Sequence, residues 1–151
     1  MQDEYKKLQK KYTLPKYQEL NKHFELDYIE DPFFLLRSIR RRIHEKVVFF
    51  AKIFEKIIFP NQGLIIELYE SKFFTDKEKA DLLKTYEDLL ELDRKALSLN
   101  IFSTDPKEAE YIKATFKKWS NLVKKSNFIM DKLDNSWKKG KDDLTKNHYF
   151  G

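Results

Sequence analysis

Seven apolar residues, Leu36, Ile39, Ile43, Val47, Phe50, Phe54 and Ile57, follow one another at steps of three or four between Pro32 and Phe59. That spacing puts all seven on one face of an α-helix and on no face of a β-strand, whose side chains alternate with period two. An apolar stripe of this length has to be covered, so the rest of the chain must supply elements long enough to cover it. The boundaries of the segment are marked as well. Asp31-Pro32 reads as a start, a carboxylate cap followed by a proline whose missing N–H costs nothing, and Pro60 reads as a stop.

Two further segments repeat the pattern. Thr75-Asp76-Lys77-Glu78 is a capping box, in which the Thr hydroxyl and the Glu carboxylate each satisfy an orphan amide. It opens a helix running to Leu99, with Leu82, Leu83, Tyr86, Leu89, Leu90 and Leu97 inward and Asn100 as its C-cap. Asp105-Pro106-Lys107-Glu108 is a second start signal, again with an acid three residues after the cap. The helix it opens carries Ile112, Phe116, Trp119, Val123, Met130, Leu133 and Trp137 in heptad-like register, with Ser126 as a gap and Gly140 as its end. Shorter helices are expected over Met1–Tyr12, over Pro15–Phe24 with Tyr17, Leu20 and Phe24 on one side, and over Leu64–Phe73 with Ile65, Leu68 and Tyr69 inward.

The expected fold is therefore an all-α helical bundle of three long helices, Pro32–Phe59, Asp76–Leu99 and Pro106–Lys139, plus shorter N-terminal and connecting helices. Residues 1–30 form an N-terminal arm packing on the core, 31–139 the bundle core and 140–151 a polar C-terminal tail, together one domain. Composition agrees. Three Gly and four Pro in 151 residues are too few for the turns of a sandwich or barrel, and thirteen Phe with eight Tyr are too many for a disordered chain.

Several chemistries are excluded. There is no cysteine, hence no disulfide, thiolate metal site or Cys nucleophile. Three glycines cannot build a Gly-rich phosphate loop, and no nucleophile elbow is present. The histidines are His23, His44 and His148. None completes the Glu-x-x-His pair of a bundle carboxylate site, since Glu19 is four residues before His23 and Glu45 directly follows His44. Glu19–His23 reads as a surface contact. No metal, no cofactor and no small-molecule substrate are expected. The most apolar stretch, Val47–Phe59, is interrupted by Lys52, Glu55 and Lys56 and is shorter than the ~20 residues that cross a bilayer. With no apolar run at Met1–Lys7 to act as a signal peptide, a cytoplasmic protein with no membrane partner is expected.

Two basic surfaces remain. The formal net charge is +5, which admits an anionic partner. Arg37, Arg40, Arg41 and Arg42 open the first long helix, with Arg37, Arg41 and His44 nearly on one line and Arg40 at the edge of the apolar stripe. Guanidinium forks match phosphate oxygens. The bland alternative is pairing with Asp81, Glu87, Asp88, Glu91 and Asp93 of the second long helix, Arg40–Asp93 being the pair the two faces allow. The last helix adds Lys117, Lys118, Lys124 and Lys125 among ten lysines between Lys113 and Lys146, with Trp119 and Trp137 interleaved. That composition can grip a nucleic-acid strand by its phosphates and bases, unless the tryptophans are core and the lysines its wet face.

The spacing Arg37, six residues, His44 resembles the Arg-x4–6-His pattern of HEPN-type helical-bundle ribonucleases. The resemblance implies a proton-transferring His44 and a phosphate-holding Arg37. In that family the motif is expected on a later helix, whereas here it lies on the first long one. Phe33, Phe34, Phe49, Ile53, Phe73 and Phe74 fall off the main stripes, and aromatics are enriched at interface cores. The leading expectation is thus a non-enzymatic interaction protein docking to a protein partner or to itself. An RNA- or ribosome-associated protein using the basic faces is the alternative, and a HEPN-like ribonuclease comes third.

Overall fold

The structure, a computed structural model, describes the backbone of residues 1–150 and the side chains of residues 1–140. Among the described residues there are six α-helices and no strand: α1 Gln2–Tyr12, α2 Tyr17–Phe24, α3 Leu35–Ile58, α4 Ile65–Ser71, α5 Asp76–Ile101 and α6 Asp105–Phe150, with one 3₁₀ turn at Leu26–Tyr28. The all-α bundle read from the sequence is the fold observed.

Side-chain pairings fix the topology. Arg40 meets Asn100, His44 meets Asp93 and Phe59 meets Tyr86, so α5 runs antiparallel to α3. Arg40 also meets Glu108 and Phe50 stacks on Trp119, so α6 runs parallel to α3. The stripe of α3 is the centre of the core: Leu36, Ile39, Ile43, Val47, Phe54 and Ile57 are all buried. Opposite it lie Leu82, Leu89, Leu92 and Ala96 of α5 and Ile112, Trp119, Leu122 and Ile129 of α6. The N-terminal helices are part of this core. Tyr5, Leu20, Phe24 and Leu26 are buried, and Phe24 lies against Trp119 at 4.6 Å between ring centroids. Tyr5 donates its hydroxyl to the Pro15 carbonyl, which ties α1 to the start of α2.

The structure corrects four boundary expectations. α3 begins at Leu35, not Pro32, because Asp31 Oδ1 accepts from the Phe33 amide at 2.9 Å and closes a local turn instead of capping a helix. The residue that then precedes the helix, Phe34, has φ 55° and ψ 41°, a left-handed conformation uncommon for a bulky side chain. α5 runs on through Asn100 to Ile101, since the Asn100 side chain is drawn to Arg40 and does not terminate the helix. Glu108 is not a capping-box acid. Thr104 precedes α6, and Glu108 turns into the core. Gly140 does not end α6, which continues to Phe150. A Cβ at Gly140 would stand 2.9 Å from the Tyr69 hydroxyl, so this glycine marks a close approach of α4 to α6. The side chains of the expected polar tail, His148 among them, lie outside the described residues.

Register is corrected too. The seam of α5 passes through Leu92, Ala96 and Leu99, which leaves Leu97 exposed; that of α6 passes through Leu122, Ser126 and Ile129, which leaves Met130 exposed. Ser126 fits the apolar seam because its hydroxyl donates to the Leu122 carbonyl at 2.7 Å. Ile65 of α4, expected inward, faces out, whereas Tyr69 packs its ring against Phe73 and Trp137. Among the described residues no helix is long and apolar enough to cross a membrane.

Candidate functional site

Three helices meet at Arg40. Its side chain is fully buried, and so is that of Glu108. Arg40 Nε donates to Glu108 Oε2 at 2.8 Å and Nη2 to Oε1 at 3.0 Å, a two-pronged contact between α3 and α6. Arg40 Nη1 donates to Asn100 Oδ1 on α5 at 2.6 Å, and the Ser103 hydroxyl donates to Glu108 Oε1 at 2.8 Å. A charge pair taken out of water is tolerated only when its polar atoms find partners, and here every side-chain nitrogen of Arg40 and both carboxylate oxygens of Glu108 have one. Arg40 is thus a clamp inside the bundle and not a surface ligand for phosphate, which corrects its place in the basic cluster. The expected Arg40–Asp93 pair is absent because Asp93 Oδ1 is taken by His44 Nε2 at 2.7 Å and Oδ2 by Arg94 Nη1 at 2.5 Å.

Above this clamp lies a polar cleft of about 230 Å³. Arg37, Arg41, Asn100, Ile101 and Ser103 line it, with Arg40 beneath. Arg37 packs its guanidinium 4.9 Å from the centre of the Phe34 ring, the ring carried by the left-handed residue before α3. Its Nε is buried, and among the described residues nothing accepts from it. A buried donor left unmet typically costs about 1–3 kcal/mol. Arg41, one turn on, is exposed, and no ion pair with it forms among the described residues. Two like charges at this spacing repel. Arg42 points the other way and donates to the Tyr28 carbonyl at 3.2 Å, into a groove flanked by Glu30, Asp31 and Glu45.

The lysines of α6 divide. Lys118 reaches Asp88 at 3.4 Å, Lys125 pairs with Asp81, and Lys132 bonds both oxygens of Glu78 at 2.6 Å. These pairs step along the antiparallel α5–α6 seam as a ladder, so Asp81 and Asp88, two of the acids expected to partner the α3 arginines, serve α6 instead, while Asp93 serves His44 and Arg94. Hydrogen bonding from Lys132 and Thr75 holds the Glu78 carboxyl below its ordinary value. Lys117 and Lys124 remain exposed. Trp119 is buried and cannot stack on a base; Trp137 sits against Tyr69 and Phe73 and donates to Glu70 at 2.9 Å.

His44 stands two turns beyond Arg37, roughly 10 Å of helix rise, and does not line the cleft. His23 packs against Trp119, 6.3 Å between ring centroids, and not against Glu19; burial, with Lys22 and Lys46 nearby, lowers its pKa. Among the described residues no group of three His, Asp or Glu side chains is placed to hold a metal ion.

Sequence reasoning missed Glu108, Asn100 and Ser103. Glu108 and Asn100 carried a signal, but a local one: an acid and an amide at helix termini read as caps. Only the packing of α3 against both other long helices turns them toward Arg40. No family model, curated protein or solved structure matches this chain.

Proposed function

We propose that this protein is a non-enzymatic docking module that self-associates through α4 and the loop before it. The observation that carries this reading is the inversion of α4. Its apolar residues Ile65 and Ile66 are 83% and 65% exposed, beside Phe59 at 57% and Leu64 at 50%. The residue it buries is Ser71, whose hydroxyl donates to the Ile57 carbonyl at 2.6 Å. The helix is held to the bundle by Tyr69 and Glu70, which meet Trp137, while Ile65 and Ile66 make no such use of their apolar surface within the monomer. Such a patch marks an interaction surface.

The occupant argued for is a second copy of the chain. The charged residues bordering the patch, Glu55, Lys56, Glu67, Glu70 and Lys72, nearly cancel, whereas the whole chain is +5. With so little net charge, two copies can meet here about a twofold axis, where the same surface faces itself, without the repulsion that the overall charge of the chain would impose. Nucleic-acid association, the other reading of the basic faces, has less support, since the Lys118, Lys125 and Lys132 ladder is neutralised within the bundle.

Sedimentation equilibrium from micromolar to several hundred micromolar protein tests the proposal. The wild type should dimerise reversibly, and Ile65→Glu with Ile66→Glu should remain monomeric while keeping the helical circular dichroism and melting behaviour of the parent. A wild type that stays monomeric throughout that range would overturn it.

A further inference from the structure

We propose that the cleft between the first turns of α3 and the end of α5 binds the phosphate group of a phosphomonoester, with Arg37, Arg41 and the Asn100 amide as its donors. The site is independent of α4 and of the self-association read from it.

Three observations converge on an anion. The cleft carries two more positive charges than negative ones. Of its lining residues, Arg37, Arg40 and Arg41 are cationic and none is acidic, and Glu108 beneath neutralises only Arg40. Arg37 lines the cleft, its Nε is buried with no acceptor among the described residues, and its guanidinium lies over the Phe34 ring, 4.9 Å from the ring centre. Asn100 is oriented by chemistry: its Oδ1 accepts from Arg40, so its NH₂ is the end left for a ligand. Ser103 adds no donor, because its hydroxyl proton goes to Glu108. An arginine fork and an amide fixed by hydrogen bonds within the protein form a preorganised oxyanion site.

The surroundings select a single phosphate over a strand. At about 230 Å³ the cleft is smaller than the roughly 300–1,000 Å³ of pockets that enclose a drug-sized ligand, so it takes a headgroup. Beyond the cleft the one further arginine, Arg42, is outnumbered by acids. The adjoining groove beyond Arg41 is flanked by Glu30, Asp31 and Glu45, which would repel the next phosphate of a backbone. The dianionic monoester also suits two unpaired guanidiniums better than a phosphodiester with one charge.

The test is titration of the full chain, at constant ionic strength, with inorganic phosphate, a nucleoside monophosphate and a short RNA lacking a terminal phosphate, followed by backbone amide NMR shifts. Phosphate and the monophosphate should both perturb Asn100, Ile101 and Ser103 and saturate in the millimolar range or tighter. Affinity should fall at least tenfold in Arg37→Gln/Arg41→Gln. It should fall as far in Ile101→Glu, which brings a carboxylate to the mouth of the cleft from a side chain that is already exposed and so leaves the fold intact. Lys117→Gln/Lys124→Gln should bind like wild type. Unchanged affinity in the arginine variant, or no saturable shift at those amides, would overturn the proposal. So would binding of the RNA alone, which would make the cleft part of a backbone track.

Discussion

On α6, Lys118, Lys125 and Lys132 recur at heptad intervals, and each meets a carboxylate of α5. On α3, Arg37 and Arg41 stand one turn apart, and among the described residues neither has formed an ion pair. In the sequence the two rows look alike, as runs of cations on helices with acids available elsewhere. The difference lies in what faces them. The α5–α6 seam places Asp81, Asp88 and Glu78 opposite lysines, while the last turn of α5 offers Arg37 and Arg41 only Asn100 and Ile101. Positive charge therefore signals a partner only where the fold has withheld the opposing acid.

The buried clamp beneath the arginine row gives the sharpest test of that contrast. Arg40→Met or Glu108→Leu alone should cost about 3–5 kcal/mol in guanidinium unfolding, since each strands a buried charge. The double variant should be more stable than either single one. A loss below about 1 kcal/mol in both singles would mean that the pair is hydrated. The next largest effect should come from the left-handed residue that carries the ring over Arg37. Phe34→Gly should raise stability by about 1 kcal/mol, because glycine adopts that conformation without a Cβ clash, and should weaken phosphate binding at the same time. If stability rises while binding is unchanged, Phe34 does not orient Arg37.

The lysine row should respond weakly and with salt. Lys125→Glu should cost no more than about 1 kcal/mol at low ionic strength, shrinking toward zero in molar salt, as for other exposed pairs. Acidification separates the elements further. Glu78 has a depressed folded pKa, so its contribution is present above the ordinary glutamate value and is lost as pH falls through the folded one; Lys132→Met should flatten that limb of the melting curve. The folded pKa of His23 is likewise lowered from 6.5, which favours its neutral form in the fold. Stability should therefore decline as pH drops below that value, and His23→Gln should remove the decline. The smallest effect belongs to Arg37→Gln, expected to leave stability unchanged or raise it by a few tenths of a kcal/mol, because relief of the unmet Nε donor and of repulsion from Arg41 is offset by loss of the contact with the Phe34 ring. A clear loss would reveal a partner for Arg37 within the protein.

Much of the molecule was legible because it is set by local periodicity and capping. The α3 stripe, the Thr75–Glu78 capping box and the presence of three long helices depend on residues within one or two turns of each other, and all three are found, although α3 starts later, α6 runs past Gly140 and the seams of α5 and α6 leave Leu97 and Met130 exposed. Apart from the start of α3, where Asp31 closes a local turn, three boundary errors share one cause. Glu108, Asn100 and Gly140 were each read by the local role their residue type favours, as caps or a stop, and each is claimed by a neighbour distant in sequence: Arg40 for the first two, Tyr69 for the third. Arg40 itself lay at the edge of the apolar stripe, and only the approach of α6 decided that it turns inward.

The sequence by itself thus determined that this chain is helical, that it has three long helices and that α3 carries a continuous apolar face, because hydrophobic period and capping chemistry act over a few residues. Tertiary structure alone decided which charges are neutralised, which way α4 faces and where a cleft opens, because those depend on what a second helix brings within hydrogen-bond reach.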